Sequence, residues 1–287
     1  MPIYKSERIF HVINNLFFIA TGALMLAPMI HVLALSLSGT EFVNANRVYL
    51  WPKGWNLNVY KEIFGQASLW RAMGVSVYIT VTGTLFSLFF TSTMAYALSR
   101  PNMPGRRLIL KVVVVTFIFS APLIPHFMIV DFLRMTDTLW ALIIPGAIGA
   151  FGVIIMKTFF QGISSELFDA GSIDGCSEFG IYGKIAVPLS LPVFATIGLF
   201  HAVGQWNAYF GALIFIRSKE LYPIQIVLRG LIVREDSAEF SHMNELNITP
   251  ETMKAGIIVF ATLPIVLLYP FLQKYFVKGA MVGSLKE

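Results

Sequence analysis

Six long apolar runs, separated by polar loops, leave this chain little choice of architecture. They cover roughly residues 10–37, 72–98, 108–133, 138–160, 185–215 and 254–277. Each supplies the about 20 mostly apolar residues that an α-helix needs to cross the hydrocarbon core of a bilayer. A soluble chain of this length would need far more charge on its surface. Here 56% of the 287 residues are hydrophobic and only 13% charged, and the mean hydropathy is +0.71. Most of the surface is therefore expected to face lipid. The expected architecture is a single all-α membrane domain, residues 1–287, with six crossings. The first run follows Lys5 and Arg8, but it is long and no small-residue cleavage site follows, so it is expected to stay as a span. Prolines 122, 125, 145, 188, 192 and 264 fall in or beside the runs. Inside a bundle, neighbouring helices can satisfy the backbone groups that proline frees.

Charge sets the expected orientation. Loop 99–111 carries Arg100, Arg106, Arg107 and Lys111, and the two tails carry Lys5, Arg8, Lys274, Lys278 and Lys286. The turn at 134–138 holds Arg134 between Asp131 and Asp137. The positive-inside rule puts loop 99–111 and both termini in the cytoplasm, and six crossings agree with that placement. The net charge of +5 is this same bias and not a nucleic-acid signal, since no basic run interleaved with aromatics occurs. A single cysteine, Cys176, excludes an intrachain disulfide and a cysteine-rich metal site.

The outer loops are long. Residues 38–71 hold Trp51, Trp55, Tyr60 and Trp70, an interfacial aromatic pattern. Residues 216–253 are more polar, with Tyr222, Arg229, Arg234 and Glu235, and a loop of that length is a candidate docking surface for an outside partner.

One polar stretch on the cytoplasmic side differs from all the others. Ser164-Ser165-Glu166-Leu167-Phe168-Asp169-Ala170-Gly171-Ser172-Ile173-Asp174-Gly175-Cys176 lies between two apolar runs. It reads as a short amphipathic helix, Glu166 to Asp174, within about 164–176. A serine can cap its start, acids favour its positive end, and Gly175 suits a left-handed terminus. Leu167, Phe168, Ala170 and Ile173 are expected to form an apolar face for the groove of a soluble partner. A helix of this composition cannot cross a membrane.

Catalytic signatures are missing. No G-x-x-x-x-G-K-[ST] loop and no H-E-x-x-H occur. His126 and His201 lie in or near spans, yet Ser120 and Ser190 lack a G-x-S-x-G setting. Interhelical hydrogen bonding is the simpler role for those histidines. In the fifth run, His201, Gln205, Trp206, Asn207 and Tyr209 are costly in lipid unless they face protein or water. Trp206 and Tyr209 can stack on sugar rings or anchor the span at the interface. This group is the candidate substrate pathway.

The segment Asp169-Ala170-Gly171, three residues, Gly175, nine residues, Ile185-Ala186-Val187-Pro188 resembles the EAA loop of binding-protein-dependent ABC importers. Ala95-Tyr96-Ala97-Leu98-Ser99-Arg100 with Pro104-Gly105-Arg106, the pair Trp206-Asn207, and the ending Lys274-Tyr275-Phe276-Val277-Lys278-Gly279 resemble other elements of its oligosaccharide branch. The chain is most similar to the maltose-type second permease subunit, in the branch serving alginate, aldouronate and related oligosaccharides. The resemblance implies the type I importer permease fold in the bacterial inner membrane. It implies a second homologous permease, two ATPase subunits holding ATP and Mg, an extracytoplasmic solute-binding protein and an oligosaccharide substrate. This chain itself would bind no cofactor or metal and catalyse no reaction. Residues Glu166, Leu167, Phe168, Asp169, Ala170, Gly171, Ile173, Asp174 and Gly175 would couple it to the ATPase, with Asp169 at the position of the family's glutamate. Asp169 is one methylene shorter than that glutamate. Gly171, in place of alanine, costs a helix about 1 kcal/mol. The alternative is an ion-driven transporter acting alone, which should carry buried acids near mid-membrane. The runs hold almost none, Asp131 lying near an outer end.

Overall fold

The computed structural model describes residues 5–233 and 248–284. Side chains are described for 9–230 and 248–268. Every regular element among these residues is helical. In chain order they are α1 (Lys5–Ser36), α2 (Thr40–Asn44), α3 (Asn58–Gly65), α4 (Ala67–Ser99), α5 (Arg106–Ile118), α6 (Leu123–Phe132), α7 (Trp140–Ile143) and α8 (Ala150–Gln161). Then come α9 (Ser165–Ile173), α10 (Glu178–Ile181), a π turn (Tyr182–Ala186), α11 (Val187–Leu189), α12 (Leu191–Asn207) and α13 (Phe210–Phe215). After a 3-10 turn (Lys219–Leu221) the chain ends in α14 (Ile224–Val233) and α15 (Pro250–Ser284).

Three helices are each long and apolar enough to cross a membrane: Ile9–Ser36, Ala67–Ser99 and Pro250–Leu268. Two further pairs reach that length only together, and both are bent. Arg106–Ile118 and Leu123–Phe132 meet at 119°, and Glu178–Leu189 and Leu191–Asn207 meet at 81°. The apolar runs 108–133 and 185–215 are thus not straight rods. At the first bend the backbone of Phe119 is extended and Pro122 stands at the N-cap of the next helix. Pro122 disfavours the α conformation in Ala121 before it, so the helix cannot run through this point unbroken. At the second, the π turn runs up to Pro188, which has no N–H to donate, and Ser190 leaves the helical region before Leu191-Pro192 restarts it. The run 138–160 is also interrupted, between Ile143 and Ala150, around Pro145-Gly146. A span-length hydropathy average passes over these breaks, because the few less apolar residues at each, such as Ser120, Pro145-Gly146 and Ser190, are outweighed by their neighbours.

The chain divides into two compact units. The first comprises 1–70 and 227–263. In it, α3 lays Val59 and Ile63 against α15 so closely that a Cβ on Gly256 would stand 2.4 Å from Val59 Cγ1. The start of α15 is fastened by a reciprocal box. Thr252 donates its amide to Thr249 Oγ1 (3.1 Å), and Thr249 donates its amide to Thr252 Oγ1 (3.0 Å). Pro250 occupies the first helical position, where no N–H is needed. Trp51 and Trp55 are exposed on the segment after α2.

The second unit comprises 71–226 and 264–287. Its core joins α4, α5, α8 and the 168–197 region through Leu98, Val113, Met156, Phe160, Ile181 and Ile197. At one end, a carboxylate ties two loops together. Asp137, at φ 59°, accepts the amides of Arg217 (2.9 Å) and Ser218 (2.8 Å) on Oδ1 and the Ser218 hydroxyl (2.6 Å) on Oδ2. The Ser218 hydroxyl, the Ser218 amide and the Arg217 amide hold this carboxyl below its ordinary value of 3.8. A group whose pKa is depressed by folding stabilises the fold above its unfolded pKa and stops doing so as pH falls through the folded one. The tie is therefore complete at neutral and mildly acidic pH and is lost only below the ordinary aspartate range. Asp137→Asn should make the 215–218 segment exchange its amide hydrogens faster at pH 7, and should abolish the added loss that the wild type shows on acidification.

Candidate functional site

The helix predicted at 166–174 is present as α9, Ser165–Ile173. Its start is capped as expected: the Glu166 amide donates to Ser164 Oγ at 3.3 Å. Its end is a Schellman closure. The Cys176 amide donates to Gly171 O (3.0 Å) and the Gly175 amide to Ser172 O (3.1 Å), with Gly175 at φ 79°. Two residues later Ser177 Oγ caps α10 by accepting the Gly180 amide (3.2 Å).

At 100° per residue, two faces separate. Glu166, Asp169, Ala170, Ile173 and Asp174 share one face and all are exposed. Ile173 is 86% exposed and shares its face with those carboxylates. Phe168 and Gly171 lie on the opposite face and are buried. The apolar face expected of Leu167, Phe168, Ala170 and Ile173 is accordingly corrected: Phe168 is turned into its own chain, and Leu167 sits on the flank, 46% exposed. Phe168 is the bulkiest apolar residue of the helix, and α4 offers it an aromatic and cationic seat, which outweighs solvent.

Gly171 has a packing role. A Cβ there would meet Ile185 Cδ1 at 2.8 Å and Ile181 Cγ1 at 3.4 Å. The helix-propensity cost is offset by close approach of α9 to the segment that leads into α12.

The seat for Phe168 is built by Tyr96 and Arg100, both in the segment that resembles the family, and by Glu178, which carries no signal in the sequence. The Arg100 guanidinium lies 3.9 Å from the centroid of the Phe168 ring and 4.8 Å from that of Tyr96. Its Nη2 donates to Tyr96 Oη at 2.6 Å and reaches Glu178 Oε2 at 3.5 Å. Tyr96 donates its hydroxyl to the same Glu178 oxygen at 3.0 Å. One turn up α4, Ser92 Oγ and Tyr182 Oη are 2.6 Å apart. Arg106 Nε donates to Leu98 O at 2.8 Å and so caps the end of α4.

Of the candidate pathway residues, the structure brings two together. Gln205 donates Nε2 to Leu142 O at 2.8 Å, and His201 Nε2 lies 3.3 Å from Gly146 O. Because a carbonyl only accepts, Nε2 carries the proton and Nδ1 accepts from Thr84 Oγ1 at 3.3 Å. Both side chains thus serve carbonyls around the α7–α8 break, the interhelical role that sequence offered for the histidine. Trp206 is 5% exposed, and its Nε1 has no hydrogen-bond partner among the described residues. Asn207 is exposed and donates to Val203 O (2.8 Å). Tyr209 lies just beyond α12 and packs beside the Ala212–Ile216–Ile226 cluster. Of the docking candidates, Tyr222 packs on that same cluster and Arg229 is exposed on α14. Arg234 and Glu235 lie outside the described residues. No group of three or more His, Cys, Asp or Glu able to hold a metal occurs among the described residues.

Long apolar helices, proline-broken apolar pairs and one capped polar helix held against the end of α4 are the features of an integral membrane protein. The chain belongs to the family of binding-protein-dependent transport system inner membrane components, which it matches over residues 6–282. It is 43% identical over 284 residues to Protein LplC of Bacillus subtilis (strain 168), covering 98% of this chain and 96% of that protein. It is 42% identical to the polygalacturonan/rhamnogalacturonan transport system permease protein YtcP of the same organism, over 98% and 99% of the two chains. A chain in the crystal structure of a bacterial ABC transporter involved in the import of the acidic polysaccharide alginate has the same fold. The TM-score is 0.91 at 32% identity, covering 96% of this chain and all of that one. The protein is a multi-pass inner-membrane permease subunit of an ABC importer with the type I fold, a membrane component and not an enzyme in itself.

Proposed function

We propose that this chain forms half of the path by which an ATP-driven importer moves an oligosaccharide of acidic, polysaccharide-derived type across the inner membrane. In this reading α9 docks on a separate ATPase. The observation that carries it is the outward face of α9, where an exposed isoleucine shares one side with Glu166, Asp169 and Asp174 on a helix capped at both ends. Such a face suits an apolar socket rimmed by cations. Rigid caps let a short helix transmit force without unwinding.

The partners follow from that role. A second homologous permease completes the path, two ATPase subunits bind ATP and Mg, and an extracytoplasmic binding protein delivers the sugar. With both termini cytoplasmic, α9 and loop 99–111 share the inner side. The acidic substrate class is supported by the relative named for polygalacturonan and rhamnogalacturonan and by the alginate importer.

The test is reconstitution of the complex that purifies with this chain. Uptake of oligogalacturonides into proteoliposomes should need ATP and the binding protein and should be indifferent to ionophores. Uptake by the chain alone, in ATP-free vesicles under an ion gradient, would establish the lone-carrier reading instead.

A further inference from the structure

We infer that Arg100, with Tyr96 and Glu178, is a clamp that makes α9 and the long helix α4 move as one body, so that Arg100 is a positioning residue for energy transmission. The inference rests on the reading of α9 as the docking helix and adds how its displacement reaches the membrane.

Three observations carry it. First, Arg100 stands at the very end of α4, directly after Ser99, and is half-buried with a quarter or less of its side chain exposed (23%). It is covered by the Phe168 ring of α9 on one side and held to Tyr96 and Glu178 by its Nη2. A single planar cation therefore touches α4, α9 and α10 together. Arginine can do this because its guanidinium stacks and donates in plane simultaneously.

Second, the contact is selective in what it joins. Tyr96 packs edge-on to Phe160 (5.8 Å) and Phe168 (6.4 Å) and lies 5.2 Å from Tyr182, centroid to centroid. Its hydroxyl donates to Glu178. The residue thus links the α9 seat to the π turn that precedes α12. Push on Phe168 and the load passes to α4 through Arg100 and to the 178–187 segment through Tyr96.

Third, the clamp stands at the open edge of the α4–α10 contact, whose inner side is the buried cluster that holds Ala95, Leu98 and Ile181. A cavity of about 660 Å³ opens beside the clamp, lined by Phe90, Met94, Ala97, Met103 and Phe179. On the cavity side the α4–α10 connection is made by the directional contacts of Tyr96 and Arg100 with Glu178. Removing the cation leaves the Tyr96–Glu178 hydrogen bond and the Ile181 packing in place but takes away the group that also covers Phe168, so α9 is freer to move on α4. Helix α4 is 33 residues long, roughly 50 Å at about 1.5 Å per residue. It exceeds a hydrocarbon core of about 30 Å, so its polar end can stand beyond the lipid tails where a docked partner acts.

The chain carries its own reporter. Cys176, the only cysteine, closes the Schellman turn of α9 and is half-buried. The complete complex in lipid nanodiscs is treated with a small maleimide, and the Cys176 peptide is quantified by mass spectrometry. ATP hydrolysed per oligogalacturonide taken up is measured in proteoliposomes. Arg100→Gln should raise the Cys176 alkylation rate about three- to tenfold, the equilibrium weight of one partly desolvated cation–π contact. It should also raise the ATP-to-solute ratio. Arg100→Lys, which keeps charge but not the plane, should fall between, and Glu178→Gln should loosen Cys176 less than Arg100→Gln.

Wild-type alkylation and an unchanged ratio in Arg100→Gln would overturn the clamp. So would a parallel fall of hydrolysis and uptake in all three variants with Cys176 unaffected, which is what a merely structural residue gives. The alkylation comparison needs no transport. If the wild-type complex proves not to import in an ATP-dependent way, the proposed function fails while the clamp is still decided by Cys176.

Discussion

Replacing Gly171 by valine is expected to lift α9 off its bed and to abolish most transport, whereas alanine at the same position is tolerated. The geometry separates the two. An added Cβ meets the terminal methyl of Ile185 at 2.8 Å, and that methyl can rotate away. The alanine also recovers about 1 kcal/mol of helix propensity, so Gly171→Ala should be close to neutral. Valine adds two further carbons towards Ile181 Cγ1, already 3.4 Å from a Cβ there. Ile181 is itself fully buried and cannot yield. Overpacking of this kind costs typically 1–3 kcal/mol, and here it is relieved most cheaply by moving the short helix, which is fastened only by its inner face. Hydrogen exchange of residues 165–176 in the assembled complex should rise sharply in Gly171→Val, and uptake should fall at least about tenfold for a displacement worth about 1.4 kcal/mol. Wild-type exchange in the valine variant would show that the bed is not where α9 is held.

The contrast between glycine and alanine illustrates what could be read in advance. The caps of α9 were legible, because Ser164 and Gly175 act through their own backbone neighbours. The all-helical class was legible, because run length alone decides it. Which apolar residue of α9 faces inward was not. Phe168 and Ile173 are equally greasy in sequence, and only the tertiary neighbours Tyr96 and Arg100 decide that Phe168 is buried and Ile173 exposed. Arg100 is legible as a charge and as part of the segment that resembles the family, but its place over the Phe168 ring is not, since a cation stacked on a ring far along the chain leaves no local pattern. The bends escaped for another reason. Pro122 and Pro188 were visible, but a proline in a membrane bundle is compatible with either a continuous or a broken span. Gln205 and His201 were singled out for polarity. Their carbonyl partners at Leu142 and Gly146 exist only because the α7–α8 segment is interrupted, which sequence did not show.

Asp169→Lys is expected to uncouple the transporter while leaving insertion and folding intact. Asp169 is exposed on the outward face of α9, one turn after Glu166 and one before Ile173. The substitution changes the charge of that face by two units without touching Phe168, Gly171 or either cap, so the helix itself has no reason to move. At a docked interface the effect is much larger than at a free surface. Removing one member of a desolvated charge pair costs about 2–5 kcal/mol, mostly because its partner is left buried and unpaired, and a lysine adds repulsion to that loss. Uptake should therefore drop by more than about tenfold, with ATP hydrolysis no longer responding to the loaded binding protein. Asp169→Asn, which keeps shape and loses charge, should be intermediate. Asp169→Glu should retain coupling, since a longer carboxylate on a helix face can still reach a cation. Membrane yield and Cys176 alkylation in the isolated subunit state should match wild type in all three. Normal uptake by Asp169→Lys would remove the charge from the docking contact and leave Ile173 as its centre, a result that Ile173→Ser would then have to reproduce in reverse.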